Sequence, residues 1–423
     1  MENLPHVSAL KVLKNAGRIL ENPLPFHQEN FDKLGDTFRI SIPGDTQAFF
    51  SRSPEVIKQI LQKKHRHYSK SKLQTKDLAK YIGKGLLTAE GNHWRTHRKM
   101  IQPAFHLKNL KTLLDIMHNA VIEELGRIET DTEEDVFELM GDLAFQVVAK
   151  SLFSSSDIRE PMAKLKRITE ENQTMLIREM RQPYFKWWFK TTGQIKKELN
   201  KAQEARDILN NLVEQRLQSN QKSTDLLDML LESEYEDGTK MPREQLIDEL
   251  LILFAAGHET TANALSFTLY FIARDPGLQE RMFQEINAVN MQGFAMDSLK
   301  QLPLVQSCIN EAMRLYPPAY FIDRKALEDN EIDGMTIKKG TVVLLSMYEL
   351  HRHKAFWEKP SEFVADRFVD LEPKSYASYY YPFGAGPRMC IGNAFATFEM
   401  AMAVMELIKR YTIIPLTKEI AIN

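Results

Sequence analysis

Cysteine is nearly absent. Among 423 residues only Cys308 and Cys390 occur, too few and too widely separated to make a disulfide framework or a zinc cluster. A reducing compartment fits that usage. Charge of one sign is missing as well, because 55 lysines and arginines meet 57 aspartates and glutamates for a net charge of -2, which argues against a nucleic-acid partner. Long hydrophobic runs are lacking too: the longest, Leu250 to Gly257, is far too short to cross a bilayer. The N-terminal segment mixes charges into a modest amphipathic helix and has no uninterrupted apolar core of the signal-peptide kind. No linker rich in Pro, Gly or Ser, low-complexity block or internal repeat divides the chain, so residues 1–423 read as one domain. The expectation is a soluble cytoplasmic monomer without a membrane anchor.

What is present is helical periodicity. Apolar residues recur at the helical spacing over Pro54–Lys63, Asn92–Gln102, Leu107–Ile128, Glu133–Phe153, Glu160–Arg181 and Thr192–Gln218. Asp36–Ile42 and Thr46–Ser51 alternate around Pro43-Gly44-Asp45 and read as a β-hairpin, while Glu234–Pro242 reads as a turn-rich loop. From Pro242 a long pattern, apolar on most faces, runs to Ala273 and should pass through the middle of the core. Leu304–Tyr316 is helical, Glu331–Ser346 reads as strands around Gly340, and a last helix runs from about Cys390 to Tyr411.

The stretch Phe383-Gly384-Ala385-Gly386-Pro387-Arg388-Met389-Cys390-Ile391-Gly392 places one cysteine in a glycine-rich turn at the start of that last helix. A helix N-terminus and free backbone N–H groups favour the thiolate. The flanking glycines let the backbone approach a flat, bulky group. The spacing Phe-x-x-Gly-x-Arg-x-Cys-x-Gly, carried by Phe383, Gly386, Arg388, Cys390 and Gly392, resembles the haem-ligand loop of the cytochrome P-450 superfamily, and the lack of an anchor resembles the soluble bacterial type. The resemblance spans nearly the whole chain. It implies a mainly α cytochrome P-450 fold, a large helical region with a smaller β region, and haem b held by Cys390 and contacted by Phe383, Gly384, Gly392 and Ala256.

Other motifs occur in the family's order. Ala256-Gly257-His258-Glu259-Thr260-Thr261 puts a glycine, an acid and hydroxyls inside the long helix, a costly choice. A threonine hydroxyl bonded to the carbonyl one turn back can loosen the helix into a notch for O2. The resemblance makes Glu259 and Thr260 the acid-alcohol pair that relays protons. Position 262 is alanine, which excludes the zincin pattern H-E-x-x-H. Glu311 and Arg314 are neighbours on one helix face, and Pro360-x-x-Phe363-x-x-Asp366-Arg367-Phe368 resembles the family's meander. Together these imply a Glu311–Arg314–Arg367 network that locks the cysteine loop. Ala365-Asp366 stands where the family often has Pro-Glu, so the turn geometry is in doubt.

Trp94 and Arg98, one helical turn apart, can donate to carboxylates. The resemblance assigns the haem propionates to Trp94, Arg98, Arg388 and Arg324. Arg95, Lys99, Lys108 and Lys111 offer a basic docking surface for an acidic electron donor. The aromatic cluster Tyr184, Phe185, Trp187, Trp188 and Phe189 is a packed helix end, a lid or a stacking surface. Cys308 reads as core, and His351 and His353 as members of a polar loop.

The function so implied is a haem-thiolate monooxygenase that inserts one oxygen atom of O2 into a substrate C–H bond, by hydroxylation or oxidative O-demethylation. With no G-x-G-x-x-G motif and no cysteine cluster in the sequence, a fused reductase is not expected. Electrons from NAD(P)H should arrive through a ferredoxin or flavodoxin and its reductase. A peroxide-driven peroxygenase, a non-catalytic haem-binding protein and an isomerase or dehydratase on the same fold are the alternatives. Substrate contacts are expected from Lys72–Leu87, Arg178–Lys190, the helix near Ala255, and Ala319–Ile322. A lipid or terpenoid suits these stretches, as does a small polar ether such as a methylated sugar.

Overall fold

The computed structural model describes residues 4–41, 47–154, 158–219, 222–289 and 294–416. Its principal helices are α1 (Gly91–Ile101), α2 (Leu107–Leu125), α3 (Val136–Phe153), α4 (Arg159–Arg181), α5 (Gln194–Ser219), α6 (Arg243–Ala273), α7 (Pro276–Ala288), α8 (Pro303–Leu315) and α9 (Asn393–Arg410). The fold is mainly α with a small β region. Leu246, Ile247, Leu251, Ile252, Phe254 and Ile272 are buried around several faces of α6, as the all-round apolar pattern requires. Helix α3 packs along α6, and Gly257 sits at that contact: a Cβ there would press to 3.1 Å from Val148 Cγ2.

The sheet joins the two ends of the chain. Strands β1 (His6–Val7), β2 (Thr37–Ser41), β3 (Gln47–Ser51), β4 (Tyr68–Ser69), β5 (Phe321–Ala326), β6 (Asn330–Ile332), β7 (Met335–Ile337) and β8 (Val342–Ser346) form a six-stranded sheet in the order β1-β2-β3-β8-β5-β4 and a separate pair β6-β7. The β2–β3 hairpin is antiparallel, as its alternation predicts, while its turn Pro43-Gly44-Asp45 lies outside the described residues. Parallel pairing of β3 with β8 brings Phe49 opposite Val343.

Several elements differ from the sequence reading. Leu24–Leu34 and α7 are helices that it passed over. In α7 the same Pro276 that stops α6 starts the next helix at its first turn, where Asp275 accepts the Leu278 N–H. Within Lys72–Leu87, Leu73–Leu78 is π-helical and continues into helix Ala79–Ile82. Helix α9 begins at Asn393, so Cys390 precedes it. The glycine-rich turn interposes two residues in the left-handed region, Gly384 (φ 71°) and Gly386 (φ 72°). Gly386 answers to packing against protein: a Cβ there would lie 1.9 Å from Leu61 O. His351 is fully buried, against the polar-loop reading. Its Nε2 accepts the Tyr381 N–H at 2.9 Å, and burial pushes its pKa down to about 3, so the ring is neutral.

One buried carboxylate holds the segment that precedes the cysteine loop. Glu311 Oε2 accepts from Arg314 Nε at 2.7 Å, and Glu311 Oε1 accepts from Arg314 Nη2 at 2.8 Å and from Arg367 Nε at 2.9 Å. Arg314 also donates to the carbonyls of His351 (2.8 Å), Pro360 (2.8 Å) and Glu362 (3.0 Å). The Glu311–Arg314–Arg367 network is thus assembled despite Ala365-Asp366, because Arg367 anchors through its own contacts: Nη1 donates to Glu358 O at 2.8 Å.

Two outcomes follow from these contacts. Glu311→Gln leaves two buried guanidiniums without their counter-charge and should lose roughly 3–5 kcal/mol in urea unfolding. Gly386→Ala should lose more than ~1 kcal/mol, whereas Gly392→Ala, whose Cβ would lie 3.9 Å from Phe105 Cε1, should unfold close to wild type.

Candidate functional site

The loop around Cys390 is closed by its own backbone. Cys390 N donates to Phe383 O at 3.0 Å and Met389 N to Gly386 O at 3.0 Å. Arg98 of α1 reaches across, its Nη1 donating to Met389 O at 2.9 Å. The residue as a whole is exposed, although protein surrounds most of the thiol itself. Burial pushes the Cys390 pKa up, and the opposing pull of the Gly392 N–H and the Arg98 charge does not cancel it. The expectation of a favoured thiolate is thereby corrected for the free chain: neighbouring protein atoms desolvate the sulfur more than two donors stabilise its charge.

Helix α6 supplies the second set of groups. Thr260 Oγ1 donates to Ala256 O at 2.8 Å, the back-bond expected from the sequence. The helix is nonetheless unbroken from Arg243 to Ala273, so the hydroxyl adds to the carbonyl without interrupting the ladder. Thr260 is exposed although Phe254, His258 and Thr261 around it are buried. Burial raises the Glu259 pKa; the side chain of Gln173 opposes that rise and the charge of Glu170 adds to it. Thr261 faces Glu399 of α9, so the turn with Glu259 and Thr260 lies alongside the helix that follows the Cys390 loop.

The third set is cationic. Arg388 stacks on Trp94 at 4.1 Å, and its Nη2 donates to Glu90 Oε2 at 2.7 Å. Arg324 is buried, with Nη1 donating to Asp323 O at 2.7 Å, and its charge is felt by the same group. Lys70, overlooked in the sequence reading, is buried among them and donates from Nζ to Leu86 O at 3.0 Å and to Leu87 O. Burial, then the charges of Arg388 and Arg324, pushes Lys70 down to about 7 against the pull of Glu90 and Asp323. Nothing local marks it, since Tyr68-Ser69-Lys70-Ser71-Lys72 reads as a solvated basic run. Arg98, one turn along α1 from Trp94, reaches the cysteine loop instead, where Phe383, Gly384 and Gly392 also lie.

The remaining sequence candidates divide. Phe189 is buried beneath Arg178 at 5.0 Å, whereas Phe185, Trp187 and Trp188 are exposed, so the aromatic cluster does not line one surface. Lys99 pairs with Glu236, leaving Arg95, Lys108 and Lys111 as the exposed cations of the basic face. Cys308 is fully buried, as expected.

Haem is the cofactor to test against this donor set. Among the described residues no cluster of three or more His, Cys, Asp or Glu side chains could hold a bare ion. One exposed cysteine suits a metal that brings its other ligands with it, as porphyrin iron does. Arg324 and Arg388 balance Glu90 and Asp323, and Lys70, which an added anion would hold protonated, is the further cationic group, which suits propionates. The residues fit.

Known proteins agree with that chemistry. Residues 4–422 match the Cytochrome P450 family. The chain is 30% identical to cytochrome P450 4d2 of Drosophila melanogaster over 94% of this chain and 85% of that protein. It is 31% identical to leukotriene-B4 omega-hydroxylase 3 of Mus musculus over 81% of this chain and 71% of that protein. A putative cytochrome P450 132 of Mycobacterium tuberculosis is 28% identical, with 85% and 80% covered. No described helix is long and apolar enough to cross a membrane. A matched length that takes in hairpin, central helix and cysteine loop alike makes this chain a member of the cytochrome P450 family of haem-dependent monooxygenases.

Proposed function

We propose that this chain hydroxylates a C–H bond of a lipid, with Cys390 as the iron ligand and Glu259 and Thr260 as the proton-handling pair. The observation that carries the reading is the pairing of Cys390, exposed at the end of a loop closed by its own backbone hydrogen bonds, with Thr260, exposed on a turn of α6 whose neighbours Phe254, His258 and Thr261 are buried. When bound, a thiolate-ligated haem supplies activation of O2, so that one oxygen atom enters the substrate and the other leaves as water. Trp94, Arg324, Arg388 and Lys70 would hold the propionates, Arg388 exchanging Glu90 for one of them. Arg98 would brace the cysteine loop through Met389 O. Phe383, Gly384, Gly392 and Ala256 would border the ring.

Glu259 works as a donor because its raised pKa keeps the carboxyl protonated to higher pH than an exposed glutamate. Its proton would pass to the Thr260 hydroxyl, whose own hydrogen bond to Ala256 O fixes where the oxygen points. As pH rises through the raised Glu259 pKa the donor is lost, so product formation should fall on the alkaline side.

The lipid reading is supported by the mouse relative, a leukotriene-B4 omega-hydroxylase. The entrance would lie between α4 and the Leu73–Ile82 segment, where Glu179 accepts from Lys80 Nζ and from Tyr81 Oη, both at 2.6 Å. Electrons from NAD(P)H would come through a ferredoxin or flavodoxin docked on Arg95, Lys108 and Lys111.

Reduced protein under carbon monoxide should show a red-shifted Soret band that Cys390→Ser abolishes; persistence of the band in that variant would refute the ligand assignment. Thr260→Ala and Glu259→Gln should each cut product formation on the order of 10²-fold and divert electrons to hydrogen peroxide, with the carbon monoxide spectrum unchanged. Unchanged product yield in both would overturn the role of this pair, whereas a haem-loaded protein that forms no product with any electron-transfer system would be a non-catalytic haem protein. Turnover with peroxide, but with no ferredoxin or flavodoxin system, would favour a peroxygenase.

A further inference from the structure

Helix α3 packs on α6 with one side and faces a groove with the other. The groove is a cavity of about 630 Å³ walled by α3 and α4 and bordered by the end of α2 and the connection after it, a volume typical of small-molecule sites. Leu139, Asp142, Leu143 and Gln146 line it from one face of α3. Ile128, Phe145 and Ala163 extend the apolar part of the lining. Gln146 interrupts it at depth: the residue is 8% exposed, and its amide makes no hydrogen bond among the described residues. Buried amides are ordinarily paired, because an unpaired one has given up water for nothing. Unlike the Glu399 carboxyl, this amide is not sealed in by protein, so a partner can reach it from the groove.

The charges around the groove select against an ion. Four cations and four anions line it, and six of the eight pair with one another. Arg159 Nη2 lies 2.7 Å from Glu124 Oε1, and Lys166 Nζ lies 2.7 Å from Asp142 Oδ1 and 3.3 Å from Glu170 Oε1. The two without a pair among the described residues, Arg167 and Glu134, are exposed and of opposite sign. Helix α3 stands between the groove and α6, with Phe145 stacked on Phe254 at 5.4 Å and edge-on to His258 at 5.3 Å.

We propose that this groove is a second binding site, separated from the haem side by α3, for an uncharged amphipathic molecule whose carboxamide or hydroxyl head pairs with Gln146 and whose apolar body lies along Ile128, Leu139 and Leu143. The head follows from the amide, which presents a carbonyl acceptor and an NH2 donor together. A carboxamide answers both and a hydroxyl can serve either. A carboxylate would leave the carbonyl facing an anion, and an ammonium would leave the NH2 facing a cation. The inference needs no part of the proposed oxygen chemistry.

The probe is octanamide with a photoreactive diazirine on its chain, applied to the haem-loaded protein. Irradiation should label peptides that contain residues 125–128, 139–146 or 163–170, saturably, with octanamide and octanol competing. Octanoate and octylamine should compete roughly tenfold more weakly. Gln146→Leu should weaken groove labelling about tenfold. Ala163→Trp, at an exposed position, should fill the groove and remove the label, with circular dichroism and the carbon monoxide spectrum unchanged. Where Gln146→Leu folds poorly, Ala163→Trp and the competitor series decide. Labelling confined to other peptides, or never saturating, would mean that the groove holds water alone and would overturn the site. Groove labelling that octanoate suppresses as well as octanamide, or that a folded Gln146→Leu leaves unchanged, would overturn the assignment of its ligand.

Discussion

The structure depends on the carboxylate of Glu311. Two guanidiniums converge on it, and with the side chains of Arg314 and Glu311 wholly out of solvent water cannot take its place. Their remaining N–H groups end on main-chain carbonyls of residues 351–362, a stretch with little regular backbone bonding of its own. Trp357 lies beneath both cations, 5.1 Å from Arg314 and 5.8 Å from Arg367. A hydrophobic replacement of such a cluster often leaves a protein as stable. What it cannot supply is direction: only charged donors with fixed geometry can hold an irregular segment at one position along a helix.

That position is handed on to the cysteine. His351, whose carbonyl Arg314 holds, accepts the Tyr381 N–H, and Tyr380 Oη donates to Asn310 O at 2.8 Å on the same helix as Glu311. The loop from Phe383 to Cys390 therefore starts from a backbone already fixed to α8, and the left-handed glycines turn it tightly against Leu61. Such a loop presents its sulfur at one place without needing the ligand to organise it. The net upward push on the Cys390 pKa is the cost of that burial. A bound metal that took the sulfur's electron pair would supply the deprotonation that the free loop does not favour.

What could be read in the sequence was what is contiguous. The cysteine loop, the acid-alcohol turn and Glu311-x-x-Arg314 are short patterns whose geometry comes from local backbone, and α6 follows from apolar residues on nearly every face. The misses share a cause in tertiary placement. Lys70 is an ordinary residue in a basic run until the sheet and the cysteine loop enclose it with Arg324 and Arg388. His351 looks like part of a polar stretch because its partner, the Tyr381 N–H, is thirty residues on. Helix α7 was hidden by Pro276, which ends one helix and begins another. The thiolate expectation erred because a helix-end argument counts donors but not the protein packed around the sulfur.

The same contrast separates two buried acids on α6's flanks. Glu399 of α9 is 1% exposed, neither of its carboxyl oxygens completes a hydrogen bond among the described residues, and its pKa is raised well above the ordinary value by burial, with Thr261 the polar group that opposes. A carboxyl so enclosed stays neutral. Glu259 is raised by burial too, but Gln173 opposes the rise and the charge of the exposed Glu170 adds to it. A raised pKa alone would nominate both acids. Depth of burial distinguishes the two: Glu399 is sealed in the core, whereas Glu259 is only partly buried and adjoins the exposed Thr260.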